Sequence, residues 1–378
     1  MRIAIVTDSY HPTRDGVVAC IDIMDDVLRN NGIETQIVAP DPGKDGEHRD
    51  GVRYFKSVSF RNYPGYFVPI YPSHTKKVLR EVQPDIVHIQ GVALMALKGV
   101  VAAHKLKIPV IMTFHTMVGD TMKYYSPIKM PQKTAEKLVW KYLRYLTKWV
   151  DAIVAPSQAT ANELIEKGIK VSDIRVIPTP VDRNRFSPEV DGSAIRERYG
   201  LQDKRVIVCV GRVSFEKNID ILIRSLKELD EDVSLLIVGK GPAMDSLKEL
   251  AAELGLSDRV ILTGFVPDEE LVQHYAAADV ATVASRFETQ CLCALEAMSC
   301  GLPVVCAKAR AFEDYVIEGQ NGFLFEDSVE DCAKKLNLAL HADDTIRTNA
   351  MTTASEFSVP SFVEKMTALY NDTIARKG

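Results

Sequence analysis

Short apolar runs alternate with helical stretches along all 378 residues. This alternation predicts an α/β protein of two Rossmann-like domains, each a doubly wound parallel sheet covered on both faces. Two further observations set the number of domains. The chain is too long for one ordinary core. The segment Pro178-Thr179-Pro180-Val181-Asp182 holds two prolines that break any continuing element. The expected domains are residues 1–180 and 181–360, with a deep cleft between them.

The first half supplies candidate strands at Ile3–Thr7, Thr35–Ala39, Val52–Phe55, Ile86–Ile89, Val110–Phe114, Ala152–Ala155 and Arg175–Ile177. The second half supplies Val206–Val210, Ser234–Val238, Val260–Thr263, Val280–Ala284, Val304–Cys306 and Gly322–Phe325. Residues 361–376 read as a C-terminal helix. After the first strand the loop runs Ser9-Tyr10-His11-Pro12-Thr13-Arg14-Asp15-Gly16-Val17-Val18, without the Gly-x-Gly-x-x-Gly of nicotinamide-binding folds. Gly16 is either a plain turn glycine or a point where helix amides meet a phosphate or hydroxyl.

Composition narrows the class. Hydrophobic content of 46% and charge of 26% are ordinary for a globular protein, and a net charge of −5 argues against a nucleic-acid binder. No apolar run reaches the length of a membrane span. Met1 to Asp8 reads as a first strand and not a signal peptide, so a cytoplasmic protein is expected. The seven Cys form no Cys-x-x-Cys pair and read as reduced buried thiols, with neither zinc nor disulfides.

Ligands of open α/β sheets bind at the carboxyl ends of the strands. His115, Arg212, Gly241 and Glu288 all follow strands, as Gly16 does. Asp230-Glu231-Asp232 precedes one, so it reads as a solvated turn and no metal site is expected. Glu288 sits at a strand-to-helix turn and Glu296 further along the helix, on the order of 12 Å away at 1.5 Å per residue. That is about the reach of a sugar nucleotide. One acid suits a sugar and the other a ribose, with the amides of Thr289, Gln290, Cys291 and Leu292 facing a diphosphate. Arg212 and Lys217, in Gly211-Arg212-Val213-Ser214-Phe215-Glu216-Lys217, add a planar donor fork and a point charge.

These pieces, with Gly239-Lys240-Gly241-Pro242, Gly264-Phe265-Val266 and Gly301-Leu302-Pro303-Val304-Val305, occur together and in order. The set resembles retaining GT-B-type glycosyltransferases of the sucrose-synthase and mannosyltransferase-like family, glycosyltransferase family 4. The resemblance covers the C-terminal half closely and the N-terminal half more loosely. It implies the GT-B fold, an N-terminal acceptor domain, a C-terminal donor domain, and a final helix that crosses back to the first domain. It also implies a UDP- or GDP-sugar donor, with no cofactor and no metal. By the same resemblance Glu288 and His115 serve catalysis. Gly16, Arg212, Lys217, Gly241, Phe265, Thr289, Gln290, Cys291, Leu292 and Glu296 hold the donor. Cys291 stands where relatives often carry Gly, and it can serve if its conformation is helical. His115 has a plainer alternative as a hydrogen-bonded core residue.

The acceptor is read from the surface. Lys133, Lys137, Lys141, Arg144 and Lys148 form one basic stripe on a helix, with Leu138, Val139, Tyr142, Leu146 and Trp149 as its apolar positions. The stripe suits an anionic membrane, or it is a solvated face. Tyr63, Tyr66 and Phe67, with Tyr124 and Tyr125, form aromatic loops that suit lipid or acceptor, or small loop cores. Pro12, Gly16-Val17 and Thr113-Phe114-His115-Thr116 resemble the branch that glycosylates diacylglycerol-type lipids. A membrane glycerolipid is therefore the expected acceptor, with a peripheral place on the inner face of the membrane. A sugar-nucleotide epimerase of the same fold and a non-catalytic binding subunit are the alternatives.

Overall fold

The computed structural model describes residues 1–13, 15–46, 48–59, 67–70, 74–115 and 131–377. By packing the chain divides into two units. Met1–Thr179 and Val359–Gly378 form the first, and Pro180–Ser358 the second.

The first unit holds β1 (Arg2–Thr7), β2 (Glu34–Pro40), β3 (Val52–Phe55), β4 (Ser57–Ser59), β5 (Phe67–Pro69), β6 (Ile86–Gln90), β7 (Val110–Thr113), β8 (Ala152–Ala155) and β9 (Ile174–Val176). Seven of them make one parallel sheet in the order β3-β2-β1-β6-β7-β8-β9. The second unit holds β10 (Arg205–Val210), β11 (Val233–Val238), β12 (Val260–Gly264), β13 (Val280–Val283), β14 (Val304–Ala307) and β15 (Gly322–Phe325), in the order β12-β11-β10-β13-β14-β15. Both sheets are doubly wound, and the strand order reverses between β1 and β6 and between β10 and β13. The inner strands are continuous apolar runs because helices cover both faces.

The small antiparallel pair β4–β5 is not among the expected strands. It is only three residues per strand, too short for an alternation to register. Phe67, one of the loop aromatics, packs inward on β5 with 9% exposure, which fits the loop-core alternative for this residue. Among the described residues of this segment, Val58, Val68 and Ile70 are exposed apolar side chains. Tyr63, Tyr66, Tyr124 and Tyr125 lie outside the described residues.

The C-terminal helix runs Val359–Ala375 and buries Phe362, Met366, Leu369 and Tyr370 against Ile3, Ile5, Val18 and Ile21 of the first unit. Arg175 and Arg376 clamp it at the surface through Asp372 and Asp173. Under this helix lies a polar network in an apolar core. His88 on β6 bonds Tyr370 Oη through Nδ1 (2.8 Å) and Thr113 Oγ1 through Nε2 (2.7 Å). Burial pushes His88 down to about 3, with His115 acting in the same direction. His115 itself is pushed down to about 4 by burial. Both are thus neutral when folded and bind a proton in the unfolded chain, so the unfolded state gains protons as the pH falls below about 6.5. Stability is full above that pH and is lost towards 4 and 3. His88, 1% exposed, accounts for about 2 kcal/mol of loss by pH 5. Urea unfolding at pH 7 and pH 5 checks this, and His88→Gln is expected to flatten the slope.

Candidate functional site

The loops leaving β10 and β13 meet at the switch point of the second sheet. Lys217 Nζ, from the first, lies 2.5 Å from Glu288 Oε1, from the second. The side chains are 33% and 16% exposed. Burial works against both charges, but each outweighs it for the other. The Lys217 ammonium holds the Glu288 carboxyl below its usual range, and Glu288 pushes the ammonium up. Lys217 ends a single 3-10 turn, Phe215–Lys217, and the helix begins at Ile219 after Asn218 in the left-handed region. Arg212, half-buried, stands in the same loop.

The helix Leu292–Ser299 follows, and no side chain among the described residues bonds to its N-terminus as a cap. Asp15, by contrast, caps the helix Gly16–Asn30 with bonds from Val17 N (3.0 Å) and Val18 N (2.9 Å). Amides that the sequence assigns to a ligand near Gly16 therefore already bind a carboxylate. Gly16 is exposed, and a Cβ there would meet nothing. Its glycine is not required by packing.

Gly241 is required. A Cβ there would lie 2.1 Å from Val213 O. The loops after β10 and β11 are knitted by backbone bonds, Val213 N to Lys240 O and Ala243 N to Val213 O, both 3.1 Å. Gly241 thus packs chain on chain and holds the Arg212 loop in place. Phe265 is 46% exposed beyond Gly264, with Lys240 Nζ 5.5 Å from its ring centroid.

Glu296 is held by Tyr275, whose hydroxyl donates to it at 2.8 Å. Burial pushes the carboxyl up, and the Tyr275 bond opposes that. Gln290 is buried and its carbonyl accepts from Tyr315 Oη. Thr289 and Leu292 are half-buried beside it.

Cys291 departs from expectation. Its φ of 72° and ψ of 82° are left-handed, not helical. A β-carbon in this region costs roughly 1–2 kcal/mol, which is why glycine is the usual occupant. Its Sγ rests 3.3 Å from Cys293 Sγ, and all seven cysteines are free thiols. The contact with the Cys293 thiol, and then burial, raise the Cys291 thiol well above its ordinary value. Elsewhere glycine costs stability against alanine; here the order is expected to invert. Cys291→Gly should be more stable than Cys291→Ala by about 1 kcal/mol in chemical denaturation.

His115 follows β7 in the first unit, half-buried, with Nε2 2.5 Å from Gln90 Oε1. Several residues around these sites escaped the sequence reading. Tyr275 and Gln90 are known only as contacts. Glu216 is 8% exposed and accepts from Ser214 Oγ at 2.6 Å, with Oε2 unpartnered among the described residues. Arg286, two residues before Glu288, has Nη1 buried without a partner there. Their signal was available: charged residues inside the Gly211–Lys217 and Ser285–Glu288 segments.

The basic residues lie on the helix Gln132–Leu146, except Lys148 in the 3-10 turn Thr147–Trp149. All five are exposed. The inward face differs from expectation. Trp140, Leu143 and Leu146 are buried, whereas Leu138 is 51% exposed, as is Tyr145. Both flank the stripe. Asp230 and Asp232 grip Arg205 at the opposite sheet end, each at 2.7 Å, a surface clamp.

The chain matches two family models, glycosyltransferase family 4 over residues 14–185 and glycosyl transferases group 1 over residues 192–356. It is 31% identical to a GDP-mannose-dependent alpha-mannosyltransferase of Mycobacterium tuberculosis, over 86% of this chain and 83% of that one. It is 28% identical to the alpha-monoglucosyldiacylglycerol synthase of Streptococcus pneumoniae, over 99% and 86%. A sulfoquinovosyl transferase of Arabidopsis thaliana is 32% identical over 84% of this chain, which spans 62% of that protein's length. Among solved structures, HepE of Anabaena with UDP-glucose shares the fold at a TM-score of 0.81 and 23% identity, covering 98% of this chain and all of that one. The sucrose-phosphate synthase of Thermosynechococcus elongatus does so at 0.81 and 19%, covering both chains fully.

Proposed function

The chain belongs to the family 4 retaining glycosyltransferases, which use nucleotide sugars, and from that membership we propose that it moves a hexose from a UDP- or GDP-sugar to a hydroxyl of a membrane glycerolipid. The observation that carries the reading is the Lys217–Glu288 pair at the switch point, beside the N-terminus of the helix Leu292–Ser299. The barrier is cleavage of the sugar–phosphate bond, which leaves an oxocarbenium-like sugar and a charged diphosphate. Arg212, Lys217 and the amides of Thr289 to Leu292 stabilise the diphosphate without a metal ion. Glu288 binds sugar hydroxyls, Glu296 the ribose, and His115 the donor sugar. The second unit is thus the donor domain and the first the acceptor domain. Front-face attack fits best, with the leaving phosphate taking the acceptor's proton.

The lipid acceptor is supported by the relatives, two of which are named alpha-monoglucosyldiacylglycerol synthases. Mannosyltransferases among them keep a GDP-mannose donor in view. The exposed stripe, flanked by exposed Leu138 and Tyr145, has the make-up of an interfacial helix. No helix of the described residues is long and apolar enough to cross a membrane. Reversing Lys133, Lys137 and Lys141 to Glu is expected to weaken binding to anionic vesicles at least tenfold, each basic residue contributing about 1 kcal/mol. Sedimentation with vesicles reads this, and unchanged binding by a folded variant rejects the membrane face.

Nucleotide release from a panel of UDP- and GDP-sugars, with and without diacylglycerol vesicles, tests the whole. Release with one donor, boosted by lipid and accompanied by a glycolipid, is expected. Lipid-independent release discards this acceptor. Isomerised sugar nucleotide with no free nucleotide favours the epimerase, and no turnover of any donor favours a binding subunit.

A further inference from the structure

We propose that Gln90 is a positioning residue for His115, fixing both the ring's orientation and the nitrogen that carries its proton. The proposal rests on the reading of His115 as a functional residue of glycosyl transfer. Gln90 ends β6 with 1% exposure, and its two polar ends have different partners. Oε1 faces His115 Nε2 at 2.5 Å, and Nε2 faces Met24 Sδ at 3.5 Å. A thioether sulfur accepts weakly and never donates. The amide NH2 therefore belongs on the sulfur and the oxygen on the ring. Flipping the amide would set its oxygen against the sulfur lone pairs. An amide oxygen only accepts, so His115 carries its hydrogen on Nε2. Burial keeps the ring neutral at pH 7, which leaves Nδ1 with its lone pair.

The surroundings enforce this. Gln90 and His88 are two apart on β6 and share a face of the sheet. His88 is fixed by Thr113 and Tyr370, and Tyr370 Oη reaches the same Met24 sulfur at 3.9 Å. β6 and β7 pair in register, so the end of one lies beside the residues that follow the other. Among the described residues the Gln90 NH2 has only a thioether, and burying it there costs desolvation that an apolar residue of the same shape avoids. Its return is the orientation of His115. In this tautomer Nδ1 accepts a hydrogen bond from a hydroxyl and cannot donate one to a phosphate oxygen. His115 then acts on sugar or acceptor hydroxyls, not on the leaving diphosphate.

The test uses the full chain labelled with 15N-histidine and long-range 1H–15N correlation spectra at pH 7. His115 is assigned by its loss in His115→Asn. The expected wild-type spectrum is neutral with hydrogen on Nε2. Gln90→Leu should mix the tautomers and lower kcat by about tenfold to a hundredfold, the scale of removing an orienting partner from a functional histidine, with donor KM nearly unchanged. Gln90→Glu, whose oxygen still accepts from Nε2, should keep the hydrogen there at pH 8 and recover part of kcat. Hydrogen on Nδ1 in the wild type overturns the proposal, and so does a folded Gln90→Leu with wild-type spectrum and kcat. If Gln90→Leu fails to fold, the wild-type spectrum decides. A wild type that turns over no sugar nucleotide overturns the transferase reading instead, and the spectrum still judges Gln90.

Discussion

Glu288→Gln should lower kcat by about 10²- to 10³-fold, the scale of losing one preorganised electrostatic group. Donor affinity should stay within a few-fold. Two effects separate here. The amide keeps the carboxylate's shape and can still hydrogen-bond a hydroxyl, so ground-state binding survives. The charge opposite a developing oxocarbenium ion is lost, and that loss is felt only in the transition state. Lys217 adds a counter-effect. Its ammonium now lies 2.5 Å from Glu288, a partner it must share when a diphosphate arrives. Without that partner the ammonium is released to the phosphates, which offsets any lost donor contact. The pair is partly exposed, so its removal should cost less than about 1 kcal/mol of stability. Steady-state kinetics with donor titration reads both numbers. Wild-type turnover in a folded variant would remove Glu288 from the chemistry.

Gly241→Ala should destabilise the second unit by about 3 kcal/mol or more, near the upper range for overpacking. The added Cβ would stand 2.1 Å from Val213 O and 2.7 Å from Val213 C. Both atoms are backbone, so no flexible side chain can yield. Relief requires parting the loops after β10 and β11, which carries Arg212 away. A fall in melting temperature of roughly 6–12 °C is expected for a unit of this size, with a loss of donor affinity. Gly16→Ala is the matched contrast. Its Cβ meets nothing and it opens a helix, so stability should be unchanged or slightly raised. Equal effects at the two sites would mean that the close approach at Gly241 is not rigid.

The fold was legible because both sheets are parallel and covered on two faces. Each strand is then a nearly pure apolar run, and a Rossmann-like domain repeats that signal six or seven times. The hairpin β4–β5 carried no such signal, since three residues per strand are too few for a period. Phe67 stayed open between a lipid-facing loop and a small loop core because an aromatic in a loop looks the same inside or outside. The helix of the basic stripe was placed, but its inward face was turned slightly. Leu138 sits at the edge of that face, and periodicity alone does not say whether an edge residue is covered.

The site shows the same division more sharply. Sequence order alone put Arg212, Lys217, Glu288 and Glu296 after strands of one sheet, and chain polarity then sends them to one end of it. Motif spacing could not show that Lys217 and Glu288 neutralise each other, because 71 residues separate them and only the β10–β13 switch point joins them. Nor could it show that Asp15 already occupies amides at the first helix, since a carboxylate before a helix reads equally as cap or as ligand contact. The left-handed Cys291 was hidden for a different reason. Local propensity forbids it, and the packing around the Glu288 turn imposes it. By itself, then, the sequence determined the two sheets, their polarity and the residues delivered to their ends, because these follow from hydrophobic period and chain direction. Tertiary contacts settle which charges meet, which glycine a neighbouring backbone requires and which side chain faces His115 Nε2, because each depends on atoms brought within ångströms by contacts far apart in the chain.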